Sequence, residues 1–172
     1  DFADILSPQE KAQLEGKLAA FEGESAHEIA IAIFPKLEDE TIEQLAVTLF
    51  EAWGIGKKKA DNGVLIVLAM PDRAMRIEVG YGLEGALTDA QSFWIIQNVM
   101  RPAFQAGNFY AGLDGATDKI IAATKGEVIP SAAAEDGGLV FGKWLSNILM
   151  FGFFMVMWLT SILGRSKSWW AG

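Results

Sequence analysis

Two stretches of this chain, EIAIAIF at residues 28–34 and GVLIVLAM at 63–70, are apolar on both faces of an extended backbone. Side chains along a strand point alternately up and down, so such a strand needs cover on both sides. Both are therefore expected as buried central strands of a sheet packed against helices. A third stretch, RAMRIEVG at 73–80, alternates: Met75, Ile77 and Val79 share one face, Arg76 and Glu78 the other. Pro71-Asp72 is a tight turn that makes the second and third strands a hairpin.

Helix starts surround these strands. SPQE places Ser7 as N-cap, Pro8 at the first helical position and Glu10 to close a capping box, with Leu14, Leu18 and Phe21 following at helical spacing. TIEQ caps a second helix at Thr41, with Leu45, Leu49 and Trp53 on one face and an end near Gly54. TDAQ caps a third at Thr88, with a stripe through Phe93, Ile96 and Val99 and a kink expected at Pro102. A fourth is expected from about Ala111 to Lys125, stopped by Gly126. The order α-β-α-β-β-α-α, with a right-handed crossover, makes strands one and two parallel and the third antiparallel. The expected fold is a small α/β sandwich with a mixed sheet of three to four strands flanked by helices.

Composition removes several chemistries. Without cysteine there are no disulfides and no thiolate metal site, and His27 is the only imidazole. All 22 acidic residues lie at or before Asp136, with 11 of the 14 basic ones, a charge of −11 for that part. Such a domain repels nucleic acid and attracts cations or basic partners.

After Lys143 the character changes. WLSNILMFGFFMVMWLTSIL, residues 144–163, carries no charge. As a helix it would measure roughly 30 Å, the hydrocarbon thickness of a bilayer. Trp144 and Trp158 sit towards its ends, and Arg165 and Lys167 follow it. The expected organisation is an α/β domain at 1–126, a linker at 127–138, one transmembrane helix at 139–164 and a cytoplasmic tail at 165–172. The positive flank puts the N-terminal domain outside the cytoplasm. That implies a signal peptide removed before the DFADILSPQE start. The expected location is a cell membrane, crossed once.

GYGLEG at 80–85 spells G-x-G-x-x-G. A dinucleotide loop needs a helix opening at the glycines and a further parallel strand. Here the preceding strand is a hairpin arm, the helix waits until Thr88, and no strand follows. The hairpin instead places ADNG at 60–63 beside 80–85. Asp61, Asn62, Glu84 and Asp89 can then converge, and oxygen ligands on glycine-rich backbone suit a hard cation, Ca²⁺ before Mg²⁺. Each also has a plainer role, in a turn, in solvent or at a helix dipole. The preceding Lys57-Lys58-Lys59 is a solvated loop or an anion contact beside a metal.

ILSPQEKAQLEGKLAAFE, WGIGKKKADNGVLIVLAMPDRAMRIEVGYGLEGALTDA and FQAGNFYAGL together resemble the TPM domain family, over about residues 4–125. The resemblance implies an α/β sandwich with a divalent-cation site in its acidic loops. Asp61 falls on the family's DNG, Glu84 on its GYGLEG and Asp89 on the acid that follows. Asp114 and Asp118, in GLDGATD, are further candidates. Family members act in photosystem II repair, as acid phosphatases, or as an accessory subunit of a ligand-gated channel. Many continue into a Gly/Ser-rich tail, whereas this chain stops at SKSWWAG.

Three functions follow as expectations. The first is a membrane-anchored accessory or assembly factor that binds a divalent cation and another membrane protein. The second is a metal-dependent acid phosphatase, which would need a nucleophile or metal-activated water and a leaving-group acid. The third is an anchored interaction domain without ligand.

Overall fold

The computed structural model describes residues 1–56, 60–70 and 72–131. The chain divides into two units, Asp1–Ala132 and Ala133–Gly172, and the expected membrane helix and tail lie outside the described residues. Among the described residues no helix is long and apolar enough to cross a membrane.

The elements follow the expected order: α1 (Pro8–Ser25), β1 (Glu28–Phe34), α2 (Ile42–Trp53), β2 (Gly63–Ala69) and β3 (Ala74–Val79). A 3₁₀ turn (Tyr81–Leu83), α3 (Asp89–Ile95), a π-helical turn (Ile96–Met100), α4 (Arg101–Gln105) and α5 (Phe109–Thr124) complete it. All three capping boxes form. Ser7 accepts from the Glu10 N–H at 3.3 Å while Glu10 accepts the Ser7 N–H at 2.8 Å. Hydrogen bonds from Ser7 hold the Glu10 carboxyl below its ordinary range. Thr41 with Gln44 and Thr88 with Gln91 repeat the motif.

The sheet has three strands in the order β1-β2-β3, with β1 parallel and β3 antiparallel to β2. All seven residues of β2 are buried. One side chain set (Ile29, Ile33, Val64, Ile66, Leu68 and Ile77) enters the larger core with α1, α3 and α5. The opposite set is smaller: Ala32, Leu65, Val67 and Ala69 meet Ile42 and Ala46 of α2. Small residues on both sides of that contact let α2 lie close to the sheet.

Three expectations need correcting. β1 is an edge strand, not a central one. It is doubly apolar because helices cover both its faces, while the Phe2 N–H donates to the Ile33 carbonyl at 2.8 Å on its outer edge. Second, Trp53 is 47% exposed, and α2 buries Ile42 and Ala46 instead. Third, the helical run 89–105 widens into the π turn just before Pro102. Proline has no N–H for the carbonyl four residues back and its ring crowds that carbonyl, so a wider turn relieves the clash. The buried stripe runs instead through Ser92, Ile95, Ile96 and Met100, leaving Phe93 exposed. The start of the expected linker packs on the domain: Ile129 is buried in the larger core and its carbonyl accepts from Gln91 Nε2 at 3.3 Å.

Candidate functional site

The hairpin brings the start of β2 beside the end of β3, with Val64 opposite Val79. The ladder then continues past both strands. The Gly80 N–H donates to the Gly63 carbonyl, and the Gly82 N–H to the Asp61 carbonyl, both at 2.9 Å. Asp61 is held in the left-handed region, φ 46°, where its Oδ2 accepts the Tyr81 N–H at 3.1 Å. A short polar side chain that bonds locally tolerates this conformation better than most.

Two of the three glycines are explained by this contact. A Cβ on Gly80 would lie 2.3 Å from the Asp61 carbonyl oxygen, and one on Gly82 would lie 2.0 Å from that of Ala60. A Cβ on Gly85 would meet nothing within 4 Å. The glycines thus serve the approach of one backbone to another. No helix opens at them; a 3₁₀ turn follows, closed by Leu83 N–H to the Gly80 carbonyl at 2.8 Å.

A third backbone joins the rim. A Cβ on Gly56 would come within 2.6 Å of the Gly63 nitrogen, and the Gly56 N–H donates to Glu28 Oε2 at 2.8 Å. Sequence reasoning missed Gly56 and Glu28; the only signal was a second glycine pair in WGIG. Asn62 is buried, and its Nδ2 donates to the Ala26 carbonyl at 2.6 Å. Asn62 therefore secures the entry to β1. His27 precedes β1 at the same end of the sheet, with its ring 6.2 Å from Phe21 and a buried Nδ1 that has no partner among the described residues.

The expected ligands are distributed as follows. Asp61 and Glu84 are exposed on the two apposed loops. Asp89 is exposed in the first turn of α3 and lines a groove beside β3. Asp114 and Asp118 lie on α5 and hold Lys17 of α1, at 2.7 and 2.6 Å. Burial lowers the Lys17 pKa, but these two carboxylates outweigh it and raise it above the ordinary value. Among the described residues no three Asp, Glu or His side chains gather in a group able to hold a metal ion. Lys57–Lys59 lie outside the described residues.

A family model described as the TPM domain matches residues 1–123. The chain belongs to the TPM domain family. Solved structures agree with this membership. The N-terminal domain of a protein from P. gingivalis, determined in solution, is 35% identical, with a TM-score of 0.66 over 72% of this chain and 79% of that one. The BA42 protein of the psychrophilic bacterium Bizionia argentinensis shares the fold at 24% identity and a TM-score of 0.61, over 73% of this chain and 86% of that one. The N-terminal domain of the cg2496 protein of Corynebacterium glutamicum does so at 14% and 0.54, over 68% and 72%. A search of the curated proteins finds no match. TPM membership therefore accounts for the small α/β fold and its three-stranded mixed sheet.

Proposed function

We propose that this TPM domain is a divalent-cation-binding accessory module, tethered to a membrane and held outside the cytoplasm, that assists a membrane protein complex. One observation carries the cation part: two loops locked backbone to backbone present the Asp61 carboxylate at an exposed rim, with Glu84 on the facing loop. The donors are all oxygen, which favours Ca²⁺ over softer ions. Two carboxylates do not fill a Ca²⁺ shell, so water completes it. The tether rests on the uncharged run 144–163 and the Arg165 and Lys167 that follow it. A tether raises the domain's effective concentration at partners in the same membrane.

The test is a thermal melt of residues 1–132 with millimolar Ca²⁺, Mg²⁺ or EDTA. Ca²⁺ at about 100 times its Kd should stabilise the fold by about 2.7 kcal/mol. Asp61→Asn keeps an oxygen for the Tyr81 N–H and a residue suited to the left-handed region, so the variant should fold but lose the shift. An unchanged melt in every cation removes the site. Phosphate-ester turnover abolished by the same substitution would move the reading to the phosphatase.

A further inference from the structure

The sheet ends at β3, and no fourth strand pairs with it among the described residues. The Gly80–Gly63 hydrogen bond sets the phase of the ladder. In an antiparallel pair the bonded positions alternate, so Ala74, Arg76 and Glu78 turn their main-chain groups towards β2. Met75, Ile77 and Val79 turn theirs outwards.

That free edge lies in a groove. A cavity of about 340 Å³ runs along Met75 and Ile77 between α2 and α3, lined also by Ile42, Ser92, Phe93 and Ile96. A second of about 550 Å³ shares Arg73, Ala74, Met75 and Arg101 with it, and apart from Gln105 the rest of its wall is apolar, with Leu68, Met70, Phe104 and Phe109. Of the chain's four arginines, the three among the described residues all line the first cavity. Arg76 is engaged by Glu78 at 3.0 Å. Arg73 and Arg101 are exposed, and no ion pair engages either among the described residues. Glu43 and Asp89 line the first cavity but not the second, so the arginine end is the one continuous with the apolar pocket.

Two observations mark this groove as built for an occupant. Ser92 is 4% exposed, and its Oγ has no hydrogen-bond partner among the described residues although Ser92 borders the cavity. Buried hydroxyls are otherwise nearly always bonded. Arg73 sits in the left-handed region, φ 49°, where glycine or asparagine would be easier. The chain thus holds a guanidinium at a strained position at the mouth of the groove.

We propose that the groove takes an extended peptide segment of a partner protein as a fourth strand on β3, with a peptide carboxylate between Arg73 and Arg101 and its neighbouring apolar side chain in the Phe104–Phe109 pocket. The guanidinium fork matches a carboxylate, and a strand edge recognises main-chain amides, which a lipid lacks. A net charge of −11 up to Asp136 also opposes an anionic membrane. A second copy pairing edge to edge about Ile77 would set Arg76 opposite the other copy's Glu78 but Arg73 opposite Tyr81, and so would bring no carboxylate to the arginine end. The inference deepens the accessory reading by naming the docking surface, and it lies at the opposite end of β3 from the cation rim.

The experiment pans random dodecapeptides on immobilised residues 1–132, a unit with its own core whose relatives were solved as isolated domains. Selected sequences should pair an acidic residue or a free chain end with an adjacent apolar one. Their affinity should fall about tenfold or more for the Arg73→Gln/Arg101→Gln double variant and for peptides N-methylated at alternate residues. Amide resonances of Met75 and Ile77 should shift on binding. No enrichment, enrichment indifferent to the double variant, or capture of phosphatidylserine vesicles in place of peptides overturns the proposal. A Ca²⁺ melting shift that survives in a chain selecting no peptide would keep the rim and remove only the groove.

Discussion

Two residues at opposite ends of the β2–β3 hairpin adopt the left-handed conformation: Asp61, two residues before β2, and Arg73, next to the start of β3. Their surroundings differ. At Asp61 the carbonyl accepts Gly82, the side chain accepts Tyr81, and glycines on the facing loop admit the approach. At Arg73 the N–H closes the hairpin turn on the Met70 carbonyl at 3.2 Å, and the side chain extends into solvent beside a cavity. One end of the hairpin is closed by its own backbone. Among the described residues the other keeps unfilled hydrogen-bonding capacity in its strand edge, in Arg73 and Arg101, and in Ser92. Each end thus presents a different chemistry, anionic oxygens at the rim and cationic donors at the groove.

Disturbing the closed end should have the largest effect. Gly80→Ala drives a Cβ to 2.3 Å from the Asp61 carbonyl, which is backbone and cannot swing aside. A loss of about 3 kcal/mol is expected in denaturant unfolding. Gly85→Ala, three residues beyond Gly82 in the same motif, meets nothing and should stay within about 0.5 kcal/mol of the parent. Equal losses at both positions would mean that the apposition of the loops is not what the glycines serve.

The open end should respond in the other direction. Arg73→Gly removes left-handed strain of roughly 1–2 kcal/mol but adds about 0.5–1 kcal/mol of backbone freedom to the unfolded chain. The variant should therefore melt at the same temperature as the parent or slightly higher, while losing peptide capture. A clear drop in melting temperature would make Arg73 a structural residue of the turn.

The fold was legible in the sequence wherever one local rule decided the outcome. Ser7, Thr41 and Thr88 cap helices because each is followed three residues later by Glu or Gln, a signal that needs no tertiary context. The parallel–antiparallel sheet followed from apolar periodicity and a proline turn. What failed depended on packing between elements. Nothing local distinguishes the doubly apolar β1 from a central strand, because helices cover its two faces as they do those of β2. Helix faces at Trp53 and Phe93 were misjudged because hydrophobicity does not reveal that α2 meets the sheet through Ile42 and Ala46, or that α3 turns Ser92 and Ile95 to the core and Phe93 away from it. At the site, the apposition of 60–63 with 80–85 was legible from the hairpin alone. The capture of Asp114 and Asp118 by Lys17 was not, since the 97 residues that separate Lys17 from the nearer of the two leave no pattern to read. The arginine groove was equally hidden, because Arg73 and Arg101 meet only through the tertiary fold.

That capture gives the finest test of which carboxylates are free. Lys17 has a pKa raised above its ordinary 10.5, so the stability it contributes is fully present below that pH and is lost as pH rises through the folded value. The parent's melting temperature should thus fall faster than that of Lys17→Gln as pH is raised beyond 10.5, with the two differing by about 0.5 kcal/mol at neutral pH. Asp118→Asn should reduce this difference while leaving any Ca²⁺ melting shift intact, because its carboxylate is already matched by an ammonium group on α1. A Ca²⁺ shift diminished by Asp118→Asn as strongly as by Asp61→Asn would place α5 in the cation site, and the contrast between paired and unpaired carboxylates would no longer hold.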